Sequence, residues 1–161
     1  MVNIKRCSGM SALQIIGIVI GVAVLGFIIW SMTLPGSGGG VKLANEMDAY
    51  ALEYIEEHEL LSDSEELVAY YDATITLNGS EAAILTTERV LYHKNDRTTS
   101  IAIEDIADIQ HRQESMLGDI IEIKSKTGIP FKIEIAPFNL GESFYKALMD
   151  VWQASGAGNE V

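Results

Sequence analysis

Cysteine is all but absent from this chain: Cys7 is the single one in 161 residues. A disulfide framework and a cysteine-based metal site are therefore excluded. Cys7 also precedes the apolar run that follows, so it is not a lipoprotein-type cysteine placed after one. Histidine is nearly as scarce, and His58, His93 and His111 have no metal-ligand spacing. No G-x-S-x-G, phosphate-loop or dinucleotide fingerprint occurs, so no nucleophile, base or cofactor cradle can be assembled from motifs. We expect no enzyme, no cofactor and no metal.

Positive charge is the next shortage. There are 11 Lys and Arg against 23 Asp and Glu, a net charge of −12. The first forty residues hold Lys5 and Arg6 and no acid, so the remainder carries −14. A domain of that sign is repelled by nucleic acid and by anionic lipid headgroups. A nucleic-acid partner is excluded on this ground. About 120 residues remain for a soluble part, which suits one domain with one core.

Charge of either sign is missing between Arg6 and Lys42. Inside that gap Leu13 to Leu34 is almost wholly apolar, and a helix needs roughly 20 such residues to cross a bilayer. The pattern predicts a tail over 1–11 and a transmembrane helix over 12–34. Ile15, Ile16, Ile20, Leu25, Phe27 and Trp30 are its anchor residues. Gly17 and Gly21 form a G-x-x-x-G on which two helices could pair as a homodimer, although glycine is common in membrane helices generally. A secretory leader has a shorter core of roughly 7–15 residues and a small-x-small site, which is absent here. Lys5-Arg6-Cys7-Ser8-Gly9 ahead of Met10 resembles a type IV prepilin leader, with Gln14 where that family usually has Glu. A prepilin-like secreted subunit is thus a rival reading. Lys5 and Arg6 lie on one side and only Lys42 on the other before the acids begin. The positive-inside rule then predicts a single-pass protein of the cell membrane with a cytoplasmic N-terminus and an extracytoplasmic domain.

Residues 35–40, Pro-Gly-Ser-Gly-Gly-Gly, read as a flexible linker. Over 41–61 the spacing of Leu43, Met47, Tyr50, Tyr54 and Ile55 predicts an acidic amphipathic helix. From Ser62 the period becomes strand-like. Leu67 to Leu77 is rich in β-branched and aromatic residues, and Asn78-Gly79 is a hairpin signal. Further short strands follow to Ile135. In the last two, Ile121, Ile123, Phe131, Ile133 and Ile135 share one parity and Glu122, Lys124, Lys132 and Glu134 the other. A final helix is expected over 139–153, with Asn139 as its N-cap. Residues 154–161 read as a disordered tail.

Three stretches resemble the bacterial PH-like domains, relatives in architecture of the GRAM and pleckstrin-homology modules. They are Glu65 to Tyr71, Ala83 to Tyr92 and Ser100 to Ile109. The motif residues are Leu85, Thr86, Thr87, Arg89, Ile103, Asp105 and Ile106, with Trp152 in the last helix, while Ala102 stands where proline is usual. The resemblance implies a domain over 62–153 built as a barrel of about seven antiparallel strands capped by the C-terminal helix. Read physically, Thr86, Thr87 and Arg89 flank a tight turn, where the guanidinium would bind free carbonyls or Asp105.

Lys94, Arg97, Lys124, Lys126 and Lys132 form the candidate ligand face, interleaved with Glu122 and Glu134. No base lies in the first hairpin, so inositol-lipid binding does not carry over from the resemblance. The function expected is a membrane-anchored, non-enzymatic module that docks a protein partner near the membrane, by an edge strand or a groove beside the last helix. The alternative is a lipid- or small-ligand-binding module.

Overall fold

The computed structural model describes residues 39–159. The expected tail, the apolar span over 12–34, its Gly17/Gly21 pair and the prepilin-like leader lie outside the described residues. No helix among the described residues is long and apolar enough to cross a membrane.

Strands β1 (Val41–Leu43), β2 (Leu67–Asp72), β3 (Glu81–Thr86), β4 (Arg89–Lys94) and β5 (Arg97–Ala102) form one antiparallel sheet in chain order. Strands β6 (Ile106–Glu114), β7 (Gly118–Ser125) and β8 (Pro130–Ile135) form a second. Two helices complete the domain, α1 (Ala49–Glu57) and α2 (Gly141–Ala154). The closed barrel of about seven strands is therefore corrected to two open sheets of five and three strands, with a C-terminal helix. Pairing stops at Ala102, where a 3₁₀ turn at Ile103–Asp105 carries the chain across to the second sheet. Phe144, Leu148 and Trp152 of α2 fill the space between the sheets. The two sheets share that core, and no ladder joins their free edges.

The inner strands of the five-stranded sheet are buried on both faces. Ala69, Tyr71, Ala83, Leu85 and Val90 point into the core shared with the second sheet and α2. Tyr70, Ala82, Ile84 and Leu91 point the other way, under Ala51 and Ile55 of α1 and Leu60 beyond it. Successive residues alternate across a strand, so covering both faces requires an unbroken apolar run. β3 supplies one in Ala82-Ala83-Ile84-Leu85.

The helix expected over 41–61 is shorter than its periodicity implied. Val41, Lys42 and Leu43 pair with Tyr71, Tyr70 and Ala69 as β1. Ala44–Glu46 is a 3₁₀ turn, and only Ala49–Glu57 is α-helical. The free edge of β2 offers the first residues a ladder, and Val41 buries its side chain there. The domain thus begins near residue 41 rather than 62. Asn139 does not cap the final helix. Leu140 holds that position with φ 58°, while the Asn139 carbonyl accepts from the Val41 N–H at 2.9 Å.

β2 ends at Asp72, short of the expected Leu77, because its buried carboxylate draws off the local donors. It accepts from the Thr74 N–H (2.8 Å), the Thr74 hydroxyl (2.5 Å), the Gly79 N–H (2.8 Å) and the Tyr50 hydroxyl (3.3 Å). Asn78-Gly79 still turns the chain, with Gly79 at φ 77°. Nearby, α1 is tied to the sheet through Tyr54, whose hydroxyl meets His93 Nε2 at 3.1 Å. His93 Nδ1 in turn meets the Thr98 hydroxyl at 3.0 Å. The Tyr54 ring stacks on His58 at 3.8 Å.

Two predictions follow from this packing. Gly118 has φ +84°, and a Cβ there would lie 2.1 Å from the Ile135 carbonyl oxygen. Gly118→Ala should cost roughly 2–4 kcal/mol in urea unfolding; an unchanged midpoint would contradict this backbone geometry. Burial lowers the His93 pKa below its ordinary 6.5, and His58 adds to the effect while Asp96 opposes it. Neutral His93 therefore contributes stability above pH 6.5 that is lost as pH falls through its lower folded value. The thermal midpoint should fall on acidification below 6.5, and His93→Gln should flatten that segment.

Candidate interaction surface

The β4–β5 hairpin closes through Asn95 and Asp96, at φ 47° and 61°. Positive φ at both positions marks a two-residue type I′ turn, which makes Lys94 and Arg97 a hydrogen-bonded pair. Alternation then makes His93/Thr98, Leu91/Ser100 and Arg89/Ala102 the non-hydrogen-bonded pairs. The Ile103 N–H donating to the Glu88 carbonyl at 2.8 Å agrees with that phase. The backbone N–H and C=O groups of Thr98, Ser100 and Ala102 therefore point away from β4, toward the open edge.

Sheet edges usually carry a device that discourages pairing: shortness, a bulge, proline or charge. β1 is three residues long, and β6 is irregular between Ile106 and Asp108. β8 opens with Pro130 and carries Lys132 and Glu134. β5 has only Arg97 at its start, and Thr98 to Ala102 is uncharged and extended. Beside it a groove of ≈ 210 Å³ separates the two sheets. Thr99, Ile101 and Asp105 line one wall, and Thr127, Ile129 and Phe131 the other. The gap left by the unclosed barrel is thus an unguarded strand next to a shallow apolar slot.

The five residues of the candidate ligand face do not form one patch. Lys94 and Arg97 sit at the β4–β5 hairpin, where Lys94 pairs with Glu81 at 2.8 Å. The Glu81 carboxyl is held below its ordinary range by hydrogen bonds from Lys94 and Tyr92. Lys124 and Lys132 share the outer face of the second sheet with Asp108 and Glu122, and Lys132 is ion-paired with Glu134. The Lys126 N–H donates to the Asp105 carbonyl at 2.7 Å, at the far end of that sheet. Among the described residues no group of His, Cys, Asp and Glu could hold a metal ion.

The motif residues meet at the turn between β3 and β4 and around the sheet junction. Leu85, Ile103 and Ile106 are core side chains. The Thr86 hydroxyl is buried and bridges the turn, donating to the Arg89 carbonyl (3.1 Å) and accepting from the Arg89 N–H (3.0 Å). The Thr87 hydroxyl accepts from the Glu66 N–H at 3.2 Å. Arg89 finds Glu65 rather than Asp105: Nη2 donates to Glu65 Oε2 at 2.9 Å and Nε to Oε1. The same Nη2 reaches the Leu60 carbonyl at 3.3 Å. Asp105 is exposed, away from that pair, and Trp152 Nε1 donates to the Ile106 carbonyl at 3.3 Å. These residues hold the fold, and of them only Asp105 lines the groove beside β5.

Two polar arrangements escaped sequence reasoning because each joins distant positions. One is the Tyr54–His93–Thr98 chain under α1. The other is buried Asp119, which meets His111 Nε2 at 2.7 Å while His111 stacks on Tyr145 at 4.6 Å. The β5 edge did have a local signal, the absence of charge from Thr98 to Ala102. No family model matches this chain, and no match is found among curated proteins.

Burial alone would raise the Glu65 carboxyl, but hydrogen bonds from Arg89 and Ser62 outweigh it and hold the pKa below 4.5. Arg89→Met should therefore cost about 1–3 kcal/mol at neutral pH. Paired Glu65 contributes stability above pH 4.5 that is lost as pH falls through its lower folded value. The gap between wild type and variant should close on that descent; a gap independent of pH would assign the loss to packing.

Proposed function

We propose that this chain is a membrane-tethered, non-enzymatic docking module of the PH-like kind, built as two open sheets. Its partner is a protein segment that adds as a strand along β5. The observation that carries the reading is the β5 edge: uncharged from Thr98 to Ala102, with outward backbone groups at alternate residues and a groove beside it. Strand addition draws affinity from main-chain hydrogen bonds and specificity from pockets for alternate side chains. Thr99 and Ile101, which share a parity on the groove wall, would read the added segment. The apolar run over 12–34 supplies the tether, with the N-terminus on the cytoplasmic side and the domain outside. Gly17 and Gly21 offer a face for pairing two anchors. Headgroup recognition has weaker support, since Lys94 and Lys132 are ion-paired and the five basic residues are dispersed.

Ser100→Pro tests the reading directly. The Ser100 N–H makes no bond to β4, so proline removes only an outward donor and leaves the ladder intact. Crosslinking and co-purification of the full-length protein from membranes should lose the partner at least about tenfold. The thermal midpoint should stay close to wild type. Undiminished partner recovery in this variant would rule out docking on the β5 edge.

A further inference from the structure

Large apolar side chains are exposed at one end of the domain, on loops that meet there from both sheets. Ile75 in the β2–β3 loop and Phe138 in the β8–α2 loop are each 101% exposed. Met116 of the β6–β7 hairpin is 91% exposed, and Leu117 and Leu140 are 50% and 64%. The ladder places these loops together. Asp119 pairs with Ile135 where β7 begins and β8 ends, and the Ala136 N–H donates to the Tyr71 hydroxyl near the end of β2. Phe138 and Leu140 hold φ values of 68° and 58°, left-handed backbone that bulky side chains rarely adopt. The chain spends conformational strain to display them.

The domain's first residues enter at this same end. A Cβ on Gly40 would lie 3.5 Å from the Asn139 carbonyl oxygen, and one on Gly39 would lie 3.4 Å from Leu77. The apolar run ends at Leu34, and extended chain advances at most ~3.6 Å per residue, so Leu34 lies within roughly 18 Å of Gly39. The linker therefore joins the domain at this rim and not at its opposite end. Charges near the rim are of both signs: Glu114, Glu142 and Lys146 border the hollow beside Phe138, Lys42 pairs with Asp48 at 3.8 Å, and the β4–β5 hairpin at this end carries Asp96, Arg97 and Lys94, the last paired with Glu81.

We propose that Ile75, Met116, Leu117, Phe138 and Leu140 enter the interfacial zone of the bilayer that holds residues 12–34. The partner is a neutral lipid surface, met by apolar side chains rather than by headgroup recognition. This inference rests on the membrane-tether reading above and adds the domain's orientation to it. Seated on its loop tips, the domain stands with its strands rising from the membrane and the β5 edge open from the side.

The test uses the full-length chain in phosphatidylcholine vesicles, in a Cys7→Ser background. Phe138→Cys, Met116→Cys and Ile129→Cys each carry an environment-sensitive fluorophore, with quenchers attached to the lipid chains. Ile129, 67% exposed in the β7–β8 turn at the other end, is the equally apolar control. Quenching at 138 and 116 should exceed that at 129 by at least about threefold, with blue-shifted emission. Adding phosphatidylserine should not strengthen it. Labels at 138 and 116 as wet as that at 129, in vesicles from which alkali does not extract the chain, overturn this inference and leave the tether standing. Extraction by alkali overturns the tether and the inference together. Quenching that requires phosphatidylserine and vanishes in high salt also overturns the inference, in favour of headgroup binding.

Discussion

Burial of the inner strands of the five-stranded sheet on both faces is the constraint on which the rest of the domain depends. Tyr70, Ile84 and Leu91 would face water if α1 were lifted, and apolar surface returned to water costs about 25 cal/mol per Å². The helix is only nine residues long, too short to be stable alone, so its formation and the burial of that face occur together. Its attachment is partly polar. Tyr50 bonds to Asp72, and Tyr54 bonds to His93, so the same contact that seats α1 also organises the β2–β3 loop and the β4–β5 hairpin. Once both faces are covered, the sheet has only its edges left to offer a partner.

The two sheets are held together by α2. Its Phe144, Leu148 and Trp152 are buried between the sheets, and Trp152 donates to the carbonyl of Ile106 where β6 begins. At the opposite end the Tyr71 hydroxyl accepts from the Ala136 N–H at 3.1 Å and from Asn139 Nδ2 at 3.4 Å, joining the second sheet to the first. These contacts keep the sheets stacked without linking β5 to β8. The open β5 edge and the groove beside it are consequences of that stacking. Strain and exposure gather at the far ends of the strands, where loops carry apolar tips and Gly39-Gly40 lead into β1. The edge proposed for protein and the rim proposed for lipid thereby lie apart, one along a strand and one across the strand ends.

Much of the domain was legible because local chemistry and tertiary packing agree. The parity of Ile121, Ile123, Phe131, Ile133 and Ile135 marks a buried face, and all five are buried. The final helix forms with Phe144, Leu148 and Trp152 inward, as its spacing requires. The uncharged stretch from Thr98 to Ala102 was visible as composition, although nothing local identified it as an edge.

The sequence by itself determined the alternation of strands, the last helix, the acidic balance and the uncharged, largely apolar run over 12–34. Each of these follows from side-chain character at near positions. Tertiary structure alone decided the rest. Val41 to Leu43 became a strand because the edge of β2 was free to pair, a fact about neighbours distant in sequence, from Ala69 to Tyr71. Arg89 chose Glu65 over Asp105 because the segment before β2 folds across the β3–β4 turn. Asp72 ended its strand by collecting donors from Thr74, Gly79 and Tyr50. Whether the sheets close is the clearest case, since pairing between their edges depends on how the two sheets stack and on no property of any one strand.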